Sequence, residues 1–254
     1  DVLAGYRDLR KGLGEFRQLK GSSWMIGNIY GNWSDRFLLN GSVIYNYDPV
    51  RLGTSVVINP DNFISVAKIF HGREMLAFNG TLDVFAKAAS VNLKINSSVS
   101  YTSYTDEVNG MPWPVKGTFS HFGPEIRSVF LKGVNFHLGS TWTFSGFKIN
   151  RALKSGMNFS FLDLQYSFSE TVHVKWVNEL YSYLRGARSA SPIHFSDISV
   201  KYVIKKNKLA AHVKLNNIFN VNSFHLPEVN SLGFREMNYR LQPRYVFMSF
   251  DIRI

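Results

Sequence analysis

Seven histidines are the residues best suited to acid–base or metal chemistry: His71, His121, His137, His173, His194, His212 and His225. None has a second histidine or a carboxylate at the helix or hairpin spacing that a metal site needs. His137, His173 and His212 occupy polar positions of alternating segments, as do Lys175 and Lys214, and all five suit the wet lining of a pore. Asp163, His173 and Ser199 supply the side-chain types of a hydrolytic triad, and neighbouring strands could bring them together. There is no Gly-x-Ser-x-Gly elbow to present such a serine. The adjacent acids Asp106 and Glu107 fall in a stretch read as a loop and are expected to be solvated. Gly12-Leu13-Gly14 lacks the strand–helix setting of a phosphate loop. The absence of cysteine from 254 residues excludes disulfides, thiolate catalysis and Cys-ligated metal. The chain therefore reads as a protein that is not an enzyme, with no catalytic, cofactor-binding or metal-ligating residue.

The segments that carry these side chains alternate apolar and polar with a period of two, the signature of strands with one apolar face. Leu162, Leu164, Tyr166 and Phe168 oppose Asp163, Gln165 and Ser167. Val172, Val174 and Trp176 oppose His173 and Lys175. Ile198 to Ile204 and Leu209 to Leu215 repeat the pattern around the turn Lys205-Lys206-Asn207-Lys208. Earlier stretches do the same from Val91 to Tyr101 and from Val134 to Phe144. Residues 23–31 and 36–47 read as a pair around Asn32-Trp33-Ser34-Asp35. Such runs of about ten residues exceed the ~5–6 of ordinary strands and match the ~9–11 of a membrane-spanning barrel strand. Their polar face is rich in Asn, Ser, Thr, Gly and His. Short turns at Lys87–Ser90 and Lys205–Lys208, against long connections at 104–118, 184–193 and 220–240, give the asymmetry of an outer-membrane barrel.

The reading is thus an all-β fold, a transmembrane antiparallel β-barrel with roughly ten to twelve strands, all in one domain over 1–254. The first 21 residues stay open between a short helix and a turn. Trp24, Tyr30, Trp33, Tyr45, Tyr47, Trp142, Trp176, Tyr181, Tyr183 and Tyr245 are expected in an interfacial aromatic girdle. Trp113, flanked by Met111-Pro112 and Pro114, is the loop residue expected to contact a ligand or partner. The net charge of +11 admits nucleic acid or an anionic membrane as partner. The basic residues are scattered singly apart from Lys201, Lys205, Lys206 and Lys208, which argues against a nucleic-acid stripe. No run approaches the ~20 apolar residues of a spanning helix.

The last strand, Tyr245 to Ile254, alternates to the end of the sequence and suits barrel closure against the first strand. Ahead of it, Leu215-Asn216-Asn217-Ile218-Phe219-Asn220 resembles the N-[LI]-F-N segment of TonB-dependent outer-membrane receptors, SusC-like members included. Leu241-Gln242-Pro243-Arg244 is similar to their L-x-P-R entry to the final strand. Phe161-Leu162-Asp163 and Phe195-Ser196-Asp197 look like strand starts of the same barrels. The resemblance implies a wall of a nutrient-uptake receptor in a bacterial outer membrane, in contact with lipid and lipopolysaccharide. A surface lipoprotein lid is a further implied partner. Contact with the inner-membrane TonB would run through an N-terminal plug region that this sequence lacks. Such barrels have about 22 strands, so the chain reads as the C-terminal half of one, with a smaller barrel sharing that terminal architecture as the alternative. A scaffold barrel and a soluble polysaccharide-binding sandwich are the competing readings.

Overall fold

A computed structural model describes residues 2–5, 8–12, 18–32, 36–128, 133–148, 152–185, 188–189, 191–206 and 208–252. Trp33, Leu13, Gly14 and Asn207 lie outside the described residues. In chain order the strands are β1 (Val2–Gly5), β2 (Asp8–Lys11), β3 (Lys20–Asn32), β4 (Phe37–Ile58) and β5 (Phe63–Ala86). Then come β6 (Val91–Val108), β7 (Met111–Ser128), β8 (Val134–Lys148), β9 (Ala152–Ser167), β10 (Val172–Arg185) and β11 (Arg188–Ser189). The last are β12 (Ile193–Lys205), β13 (Leu209–Asn216), β14 (Ser223–Val229), β15 (Phe234–Arg240) and β16 (Tyr245–Ile252). The fold is all-β, and β3 to β10 followed by β12, β13 and β16 form one antiparallel meander within a 14-stranded sheet. β14 and β15 form a separate hairpin.

Several expectations change. Residues 104–118 are not a loop: β6 runs directly into β7 through the two-residue turn Asn109-Gly110, with φ of 50° and 77°. Positive φ at both central residues gives the turn whose twist matches its strands. Of the two readings left open for the first 21 residues, a short helix or a turn between strands, the described residues hold short strands, β1 and β2, with β2 parallel to β5. Phe161–Asp163 lies mid-strand in β9. Among the described residues β16 pairs with β13 alone, so the expected closure against the first strand is not made there.

Register fixes which side chains share a face. Phe136, Leu138, Trp142 and Phe144 of β8 align with Ile126 and Phe122 of β7 and with Leu162 and Leu164 of β9. Leu138, Phe122 and Phe250 are 45%, 46% and 66% exposed, and no helix or second sheet covers this face among the described residues. A soluble chain rarely leaves so continuous an apolar surface bare. Some polar groups at its middle satisfy one another: Ser140 Oγ and Ser160 Oγ are 2.7 Å apart, and Asn158 Nδ2 donates to Ser140 Oγ at 2.7 Å. From Phe136 to Phe144 the strand rises roughly 20 Å once tilted as in a barrel, near the ~25 Å of a barrel's apolar band.

The two ends of the sheet differ. At one end, here the short-turn end, the chain reverses at Lys87–Ser90 and Lys205–Lys208 as expected. At the other, the long end, the β4–β5 hairpin crosses over itself. Up to Val50, β4 lies between β3 and β5; beyond it, Ser55-Val56 pairs in parallel with Glu107-Val108 of β6. Pro49, which lacks an amide, stands opposite Gly72 (φ 73°) where the neighbours exchange.

Candidate functional site on the polar face

The other face holds the residues expected to line the lumen. His137, His173, Lys175, His212 and Lys214 share it through the register of β8, β9, β10, β12, β13 and β16. His173 lies opposite Lys201, which lies opposite His212. Each predicted residue has a partner. His137 Nε2 is 3.3 Å from Glu125 and meets the Phe161 ring edge-on at 4.7 Å. His173 Nδ1 is 2.8 Å from Ser167 Oγ, and His212 Nε2 is 2.8 Å from Asp251. Lys175 and Lys214 lie 3.8 and 3.0 Å from Asp163 and Asp197. His173, Lys175 and His212 line one pocket with Gln165, Ser199 and Lys201.

The triad does not form, because Asp163 is engaged by Lys175 and His173 by Ser167. No cluster of three potential metal ligands occurs among the described residues. The histidine–carboxylate pairs arise from register between strands, which spacing along the sequence does not display.

Towards the long end the same face turns aromatic. Phe159, Phe161, Tyr181, Tyr183 and Phe195 take positions that carry polar groups lower down. The hairpin β14–β15 lies against them. Phe224 packs on Tyr181 (5.2 Å), Phe195 (6.0 Å) and Tyr183 (6.2 Å), largely edge to face. Tyr181 and Tyr183 therefore belong to an interior cluster and not to the girdle, and Tyr183 is only 3% exposed. Its hydroxyl has no partner among the described residues and borders a cavity of about 430 Å³. Ile193, Ser223, His225, Pro227 and Glu236 also line that cavity.

Trp113 is in β7, not in a loop. Its indole N–H donates to Ser231 O at 3.0 Å, at the tip of the β14–β15 hairpin. This bond fastens the hairpin across the polar face to a strand 118 residues earlier. The hairpin's base is built by Leu215–Asn220. Asn217 and Asn220 adopt φ of 54° and 55°, which asparagine tolerates better than most residues. Asn217 Nδ2 donates to Val221 O and Gln242 O, both at 2.9 Å, and Asn220 Oδ1 accepts from Arg244 N–H at 2.9 Å. The two motifs thus clasp each other where the excursion leaves and rejoins the sheet. The sequence reading named His225 only as one of seven histidines and missed Phe224 and Tyr239, which pack on each other in the hairpin; the aromatics breaking polar alternation in β9, β10 and β12 were the available signal.

At the long end Arg51 reaches Asp106 at 2.5 Å and Thr105 O at 2.6 Å, and Lys68 reaches Glu107 at 2.6 Å. Asp106 and Glu107 are therefore paired, not free in a loop. Lys68 and Ser55 donate to the Glu107 carboxylate and hold it below the usual carboxylate range.

No family model matches the chain, and no curated protein matches it. Among solved structures it is similar to the alcaligin outer-membrane receptor FauA from Bordetella pertussis, with a TM-score of 0.50 and 9% identity. The match covers 91% of this chain and 39% of that one. At this identity the likeness is one of fold, that of an outer-membrane receptor barrel. The chain spans about two fifths of that receptor's length.

Proposed function

We propose that the chain forms part of the wall of a bacterial outer-membrane uptake receptor that recognises a scarce nutrient on its polar face near the long end. The reading performs no covalent chemistry. One observation carries it: the 217–244 connection folds over the polar face and is fastened there by Trp113 and the aromatic cluster. A scaffold barrel has no need of such an element. A soluble sandwich would need to cover the apolar face, and nothing covers it among the described residues.

A reversible lock tests this. With Trp113→Cys and Ser231→Cys as the only cysteines of this chain, a bis-methanethiosulfonate linker fixes the hairpin and reductant frees it. Cells supplied only with a ferric chelate, cobalamin or a glycan as limiting nutrient should grow at least tenfold less when locked, for one nutrient, and recover with reductant. Unchanged growth on every nutrient would sink the uptake reading. The membrane reading requires that the protein be extracted only by detergent and shift its gel mobility on heating.

A further inference from the structure

We propose that Lys116, Lys148 and Lys154 form a binding site, on the apolar face, for the phosphate groups of an anionic lipid surrounding the long end. Lys116 stands directly opposite Lys148 across β7 and β8. Lys154 stands opposite Gly146, which in turn faces Thr118. Three ammonium groups are thus gathered within two neighbouring rows of one face. Like charges set opposite each other destabilise a sheet. All three are exposed, and none has an acidic partner among the described residues. The only acids of β7, β8 and β9 are Glu125 and Asp163. Both alternate onto the polar face, where they meet His137 and Lys175. On that face Lys175 and Lys214 each meet a carboxylate; these three meet none among the described residues.

Between them runs a groove of about 490 Å³, bordered also by Phe144, Thr118 and Gly146. Below the groove the face continues as Phe144, Trp142, Phe122 and Leu138. A cluster of cations above a greasy strip complements an amphiphile with a phosphorylated head and acyl chains. A free anion would use only the lysines. Longer connections mark the outer side of such barrels, so the occupant is a phosphorylated glycolipid of the outer leaflet. The inference rests on the membrane-embedded reading.

The full-length protein in detergent micelles is titrated with a diphosphorylated lipid A, with its dephosphorylated form and with inorganic phosphate, bound lipid being counted by native mass spectrometry. At roughly fivefold per interfacial lysine, three lysines should make the phosphorylated lipid bind on the order of a hundredfold more tightly than the dephosphorylated one. Inorganic phosphate at the same concentration should not displace it. The K116Q/K148Q/K154Q variant should lose that preference, while K201Q/K205Q/K208Q, at the opposite end, keeps it. Retention by K116R/K148R/K154R would show that charge, and not a folding defect, is what the glutamines remove. Wild-type preference in the glutamine variant overturns the proposal, as does equal competition by inorganic phosphate. A protein that stays soluble and monodisperse without detergent would instead overturn the membrane reading beneath it.

Discussion

At the short-turn end three of the described reversals are closed by their own neighbours: Ser90 N–H donates to Lys87 O, Lys208 N–H to Lys205 O, and Ser169 Oγ accepts from Val172 N–H, while Phe85 N–H to Arg36 O and Val203 N–H to Thr171 O link one turn to the next. At the long end the bonds come from far along the chain. Arg51 holds Asp106, Ser55 and Lys68 hold Glu107, Asn109 Oδ1 accepts from Ile58 N–H, and Trp113 holds Ser231. The first end is built mainly by local geometry, with links only between adjacent turns. The second is a set of tertiary fastenings, each of which exists only if two distant segments are both in place. Regions that open at low cost are where ligand-responsive elements are found. The crossed hairpin and the β14–β15 strap both lie at the second end.

The largest break in that contrast should come from Asp106→Ala. Arg51 is nearly buried, its guanidinium lies 4.6 Å from the Tyr104 ring and 5.1 Å from Phe70, and its Nε already lacks a partner among the described residues. Removing the carboxylate strands a buried cation, which typically costs about 3 kcal/mol or more. Amide exchange over residues 51–70 should accelerate roughly a hundredfold, with residues 91–101 unchanged. Equal acceleration in both segments would mean that the two ends are not independent.

A smaller effect separates backbone geometry from fastening. A Cβ at Gly110 would meet nothing within 4 Å, so Gly110→Ala tests only the φ of 77°. The cost should be about 1 kcal/mol, read from urea unfolding in lipid vesicles, with the Arg51–Asp106 contact intact. A loss as large as that of Asp106→Ala would show that the turn, and not the ion pairs, organises the long end.

The short-turn end was legible in the sequence because its information is local. Alternation in Leu162 to Phe168 and Leu209 to Leu215 showed which side chains share a face, and Lys205–Lys208 marked its own turn. Residues 104–118 were misread because Pro112 and Pro114 signal loops, although both are compatible with a strand where no ladder bond is demanded of them. Asp106 and Glu107 looked solvated because their partners, Arg51 and Lys68, are about as distant in sequence as the crossed hairpin requires. Trp113 stood out correctly as unusual, but its partner Ser231 could be found only in three dimensions. The Asn217 and Asn220 positions were visible as a motif. Their reason, two left-handed residues clasping Val221, Gln242 and Arg244, was not.

The mildest test uses acidity. Glu107 titrates below the usual carboxylate range because Lys68 and Ser55 donate to its charged form. A carboxylate depressed in the folded state contributes its stabilisation fully above its unfolded pKa of about 4.3 and loses it as pH falls through the lower folded value. Between pH 7 and pH 5 the tip of the β4–β5 hairpin should therefore be unchanged. Below about pH 4 it should loosen, ahead of the Lys87–Ser90 turn, which depends on no carboxylate. Both Lys68 and Glu107 are partly exposed, so salt should weaken the contact as well. Amide exchange at residues 55–58 and 107–109 reads this directly, and Glu107→Gln should erase the acid transition there. If that transition persists in the glutamine variant, another acid fastens the tip, and Asp106 beside Arg51 is the one to change next.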